Sequence, residues 1–214
     1  MTRAHPVTLL LLLANAAVAA LLFMAGPDMD RLATLAGAMV PARLSLALAG
    51  SGSLLPALAS LVTSQFLHGG LLHLGVNMLM LLAMGRLLEP VYGSGRLLIL
   101  YLAGGVSAAL AEWAVNPASP VPVLGASGAI SALIGAQALL INQARAGMAA
   151  NRLGLALKLG LAWAVVQWLA GVVMLGQGID LAVAGHVGGF VAGLALAFPL
   201  LPGRSGSIDR DAGP

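Results

Sequence analysis

Apolar runs of about 20 residues follow one another along this chain, and each is long enough to cross the hydrocarbon core of a bilayer as a helix. They fall at about 7–25, 70–88, 97–115, 125–143, 154–175 and 181–201. A chain of 214 residues that is 60% hydrophobic and only 8% charged has too little polar sequence to cover a water-facing surface. The solvent for its outer face is therefore lipid. In lipid every backbone polar group must be satisfied within the fold, so the fold class is an all-α membrane protein with six transmembrane helices. The segment 31–67 is apolar but interrupted by Pro41, Pro56 and a Gly-Ser cluster at 50–53. It reads as a long loop carrying short interfacial or re-entrant helices.

Lys and Arg set the orientation. The N-terminus, the second and fourth loops and the C-terminal tail hold Arg3, Arg86, Arg96, Arg145, Arg152, Lys158, Arg204 and Arg210. The opposite side holds only Arg31 and Arg43, beside Asp28, Asp30, Glu112 and Asp180. Both termini are therefore expected in the cytoplasm. The first run can alternatively be read as a signal peptide, since it has a basic start and small residues near Ala17–Ala20. Residues 1–201 read as one membrane domain with a large first loop at about 26–67, and residues 202–214 as a disordered cytoplasmic tail. No basic patch with interleaved aromatics is present, so nucleic acid is not an expected partner. Cys is absent, which excludes disulfides and a thiolate nucleophile. His68 and His73 are five apart and carboxylates are scarce, so no metal site is expected.

Polar residues inside such spans are costly and therefore informative. With both termini inside, spans two, four and six enter from the outer side. His73 and Asn77 then lie in the first turns of span two, Ser127 in the first turn of span four, and His186 about five residues into span six. At 1.5 Å per residue all four sit within roughly 10 Å of the outer boundary. A serine and a histidine at one depth suggest a nucleophile and its base. His73 and Asn77 share a helix face and can donate to a developing oxyanion. The unpaired N–H groups at the start of span four point the same way. Gly185, Gly189 and Gly193 form a small-residue ridge, and span four offers Gly128, Ala132 and Ala136, so the two helices can approach closely.

Each feature also has a plainer reading. Ser127 can bond its own helix backbone. His186 can be a packing donor or a proton relay, and Asn77 an interhelical hydrogen-bonding residue. The Gly125-Ala126-Ser127-Gly128 string is not the Gly-x-Ser-x-Gly elbow of soluble hydrolases. Glu112 and Asp180 read as interfacial, and no third acid completes a triad. The hypothesis is a Ser–His dyad, and the conjunction of depths carries it.

These residues resemble the rhomboid family of intramembrane serine proteases. The resemblance runs from about Thr63 to Phe198. It rests on Thr63–Gly70, on His73-Leu74-Gly75-Val76-Asn77-Met78, and on Leu88-Glu89 with Tyr92-Gly93-Ser94. Gly125-Ala126-Ser127-Gly128-Ala129 and Gly185-His186-Val187-Gly188-Gly189 complete it. It implies a six-helix rhomboid-like bundle with Ser127 as nucleophile and His186 as general base. His73, Asn77 and the Ser127 backbone N–H would form the oxyanion hole, supported by His68, Gly125 and Gly128. Span five would be the lateral gate. It implies cleavage of single-span membrane proteins near the outer face of a bacterial inner membrane, with no metal, nucleotide or other cofactor. The partners would be transmembrane substrates and the bilayer itself. Oligomeric state and substrate identity stay open. Two departures stand out: Ala59-Ser60 where many relatives carry Trp-Arg, and Ser131 where many carry an aromatic packing on the base. Three alternatives remain: a catalytically inactive client-binding relative, a protease specialised for a C-terminal sorting signal, and a small transporter using His186 and Glu112 as proton carriers.

Overall fold

The computed structural model describes residues 5–146, 151–175 and 181–202. Arg3, Asp180, Arg204, Arg210 and the tail from 203 onward lie outside the described residues. Among the described residues the chain is helical, apart from one isolated antiparallel bridge between Met39 and Val123. Six long helices fall where the apolar runs predict them: α1 (Pro6–Ala25), α5 (Leu71–Tyr92), α6 (Ser94–Val115), α7 (Ser127–Ala146), α8 (Arg152–Leu175) and α9 (Val183–Leu196). By length and composition α1, α5 and α6 are apolar enough to cross a membrane. The other three contribute shorter apolar stretches, at Ser127–Asn142, Leu153–Leu169 and Val183–Leu196. The protein is an all-helical membrane bundle.

The first loop is built from α2 (Pro27–Gly37), α3 (Pro41–Leu48), α4 (Leu54–Thr63) and a 3-10 turn at Ser64–Phe66. Pro27 and Pro41 do not break these helices but begin them. At the first helical position proline has the required φ, and its missing N–H is not needed. Arg43 closes the α2–α3 corner by donating to the carbonyls of Leu35 (2.6 Å) and Ala38. Thr63 Oγ1 donates to the Gly37 carbonyl (2.7 Å). The loop thus has its own guanidinium brace, although Ala59-Ser60 supplies none. Ser60 is buried and bonds back to Ala57 O (2.7 Å).

Helices α6, α7 and α9 form the inner layer, and small residues set their spacing. A Cβ at Gly193 would fall on the Ala132 carbonyl, and one at Gly189 on the Gly128 carbonyl. The Gly185–Gly189–Gly193 ridge therefore lies directly on α7, with its first member against Ala108 of α6. In lipid, where no hydrophobic force drives helices together, such backbone contact is the main source of packing energy.

At the opposite end, Glu89 accepts the N–H groups of Val7 and Thr8 (2.9 Å each), the Thr8 hydroxyl (2.5 Å) and the Ser94 hydroxyl (2.7 Å). A buried carboxylate on a helix N-terminus satisfies orphan donors and offsets the positive dipole end. This fastens α1 to the α5–α6 corner. Tyr92 Oη donates to Ala197 O (2.6 Å) and ties the same corner to the end of α9.

Candidate active site

Ser127 is the first residue of α7, and His186 lies in the first turn of α9, where its N–H donates to Ala182 O (3.0 Å). Ser127 Oγ and His186 Nε2 are 2.8 Å apart. Gly189 and Gly128 allow this, because each stands one turn or less from the pair at the α7–α9 backbone contact. The first intrahelical bond of α7 is Ile130 N–H to Ala126 O (2.9 Å). Helix geometry therefore leaves the N–H groups of Ser127 and its neighbours without intrahelical partners.

The chain reaches Ser127 through Gly125, whose φ of +116° is a conformation that favours glycine. A side chain there would also strike the His73 ring, with Cε1 and Nε2 each 2.8 Å from an added Cβ. Gly125 N–H donates to Ser64 O (2.9 Å), and Met39 and Val123 exchange backbone bonds of 3.0 and 2.7 Å. The first loop thus holds the approach to the serine. Gln65 Nε2 donates to Leu61 O (3.0 Å) and Leu102 O (3.4 Å), which anchors the 3-10 turn against α6.

His73 accepts at Nδ1 from Gly69 N–H (3.4 Å), a long bond that favours the tautomer with its hydrogen on Nε2, the atom beside Gly125. Asn77 is buried, and its Nδ2 donates one hydrogen to His73 O (2.9 Å), leaving the second free to donate. A cavity of about 40 Å³ opens between Ser127, His186, Gly125 and Gly185, room enough for a water molecule. A larger cavity of about 280 Å³ lies away from this pair, against Leu22, Phe23 and Leu71, and His68 edges it. Its walls are mostly apolar, with Asp30 and His68 as their polar side chains, and carry no serine or threonine.

Two residues differ from the sequence expectation. His68, expected in a supporting hydrogen-bond network, has both ring nitrogens buried without a hydrogen-bond partner. It packs edge-on against His73, with ring centroids 5.1 Å apart. Burial pushes its pKa down to about 4, and the nearby His73 adds to the shift. Glu112, expected at the interface, is buried. Its Oε2 accepts Gly185 N–H (3.0 Å) and its Oε1 accepts Asn116 Nδ2 (2.6 Å). An orphan N–H at the start of α9 draws the carboxylate inward.

Hydropathy singled out no residue of α8 for the site, yet two of them hold His186. Gln167 Oε1 lies 2.8 Å from His186 Nδ1, and Trp163 Nε1 donates to His186 O (3.2 Å). The Trp163 indole also stacks on Phe190, at 4.8 Å and 11°. Their one signal was a glutamine midway along a span whose other strongly polar residue, Lys158, lies near its start.

A family model described as the Rhomboid domain matches residues 56–203. The chain belongs to the rhomboid family. It is 35% identical over 156 residues to "Rhomboid protease GluP" of Bacillus subtilis, covering 70% of this chain and 27% of that protein. It is 37% identical over 137 residues to "Rhomboid protease GlpG" of Serratia proteamaculans, covering 64% and 46%. It is also 37% identical over 87 residues to human "Rhomboid-related protein 3", covering 41% and 21%. The chain thus spans less than half the length of these rhomboid relatives. The matched region contains α5 through α9 whole, and with them Ser127, His186, His73 and Asn77.

Proposed function

We propose that the protein is an intramembrane serine endopeptidase that cleaves single-span membrane proteins near the outer face of the bilayer. The observation that carries this reading is the 2.8 Å approach of Ser127 Oγ to His186 Nε2 at the meeting of two helix N-termini. In this reading α1, α5, α6, α7, α8 and α9 are six spans of one domain over residues 1–201, with a cytoplasmic tail after it. Both termini lie in the cytoplasm of a bacterial inner membrane, as the Lys and Arg bias favours.

Ser127 gives its proton to His186 as its oxygen attacks the scissile carbonyl. The tetrahedral oxyanion accepts hydrogen bonds from the Ser127 N–H, from His73 Nε2 and from the free hydrogen of Asn77 Nδ2. His186 then protonates the leaving amine, which departs and leaves the acyl-enzyme. Water takes the amine's place, gives a proton to His186 and attacks the ester. The acid product leaves as Ser127 recovers its proton. A helical substrate keeps its carbonyls in i→i+4 bonds, so it must unwind before it reacts. Small or helix-breaking residues at the cleavage site favour that step.

The test is labelling by a fluorophosphonate probe in detergent micelles, which needs no known substrate. Wild type should label, and Ser127→Ala and His186→Ala should not. Asn77→Ala should label more slowly than wild type but measurably. A folded wild type that fails to label, beside a control protease that does, would overturn the proposal in favour of a client-binding membrane protein.

A further inference from the structure

An imidazole can act as a base at Nε2 only when its hydrogen sits on Nδ1, so the partner of Nδ1 decides whether the ring is productive. Among the described residues no carboxylate bonds His186. The partner of Nδ1 is Gln167 Oε1 at 2.8 Å, from a side chain only 9% exposed. Around it on α8, Val165, Val166, Trp168 and Leu169 are all exposed on the apolar outer surface. A glutamine turned inward from such a helix is costly unless it bonds, and His186 is the partner it has. One turn earlier, Trp163 holds the backbone oxygen of the same histidine.

We propose that Gln167 is the positioning residue of the site: it accepts the Nδ1–H of His186 and so holds the Nε2 lone pair on Ser127. This rests on the protease reading and deepens it. Gln167 itself touches no substrate. Its amide fixes tautomer and ring angle as a carboxylate would, but adds no negative charge. Among the described residues the other titratable groups packed around this end are His73 on α5 and Glu112 on α6. Both Glu112 oxygens are engaged, by Gly185 and Asn116.

The experiment compares wild type with Gln167→Met and Gln167→Glu, with ring-¹⁵N histidine and a His186→Ala sample to assign the signal. In wild type the His186 ring should be the Nδ1–H tautomer. Gln167→Met should shift it toward Nε2–H and slow fluorophosphonate labelling at least ~10-fold, since a wrong tautomer disables the base. Gln167→Glu should restore the Nδ1–H tautomer. It should also move the acid limb of the labelling profile to higher pH, because a carboxylate beside the ring favours imidazolium. A side chain out of contact with the ring would not move that limb. A Gln167→Met protein with the wild-type tautomer and labelling rate would overturn the proposal. If Gln167→Met does not fold, an unmoved acid limb in Gln167→Glu overturns it. Failure of the wild type to label refutes the protease reading instead, and the tautomer comparison still decides the role of Gln167.

Discussion

Gly189→Ala should disable the site by pushing two helices apart. The added methyl would land on the Gly128 carbonyl, one residue beyond Ser127, and Gly189 is itself one turn beyond His186. Neither partner can yield by turning a side chain, because the obstacle is backbone. Ordinary van der Waals contact requires α7 and α9 to separate by about 1 Å. That turns the 2.8 Å Ser127–His186 contact into one too long to be a hydrogen bond. A misplacement of about 1 Å costs on the order of 100-fold in rate. The packing penalty of such an insertion is ~1–3 kcal/mol. The assay pairs the fluorophosphonate labelling rate with the midpoint of thermal unfolding in detergent. Gly160→Ala on α8 is the control, since its Cβ would meet only Leu194 at an ordinary 3.7 Å. It should label like wild type. Gly189→Ala labelling at the wild-type rate would refute the argument that this contact sets the dyad distance.

Two other perturbations separate structural from chemical roles. Glu112→Leu leaves the buried Gly185 N–H and the Asn116 amide without an acceptor. Each buried donor left without an acceptor costs about 1–3 kcal/mol, so the unfolding midpoint should fall clearly, and should fall less in Glu112→Gln, which keeps an oxygen; equal midpoints for the two would refute the capping role. His68 has a folded pKa of about 4 against 6.5 for the free side chain, so between these values the unfolded chain binds the extra proton. Its contribution to stability is whole above about pH 6.5 and is lost as pH falls toward 4. His68→Gln should flatten the fall of the unfolding midpoint across that window, and an unchanged slope would show that His68 does not titrate there.

Much of this protein is written along the chain. Apolar run length determined that it is a helical membrane protein and where its six long helices lie, because burying a backbone in lipid leaves few other solutions. The breaks at Pro41, Pro56 and Gly50–Ser53 marked a first loop of short helices, although Pro41 begins its helix and Pro56 sits in the first turn of the next rather than interrupting a span. The cost of polar groups in lipid made Ser127, His186, His73 and Asn77 visible, and the spaced glycines of α9 marked the face that meets α7. What tertiary structure alone decided is which group faces which. The inward turn of Glu112, the unbonded nitrogens of His68 and the reach of Gln167 to His186 depend on the rotation of each helix about its own axis and on its crossing with the next. Hydropathy measures how well a side chain suits lipid. It carries no record of the angle at which one helix meets another, and that angle sets the distances that chemistry requires.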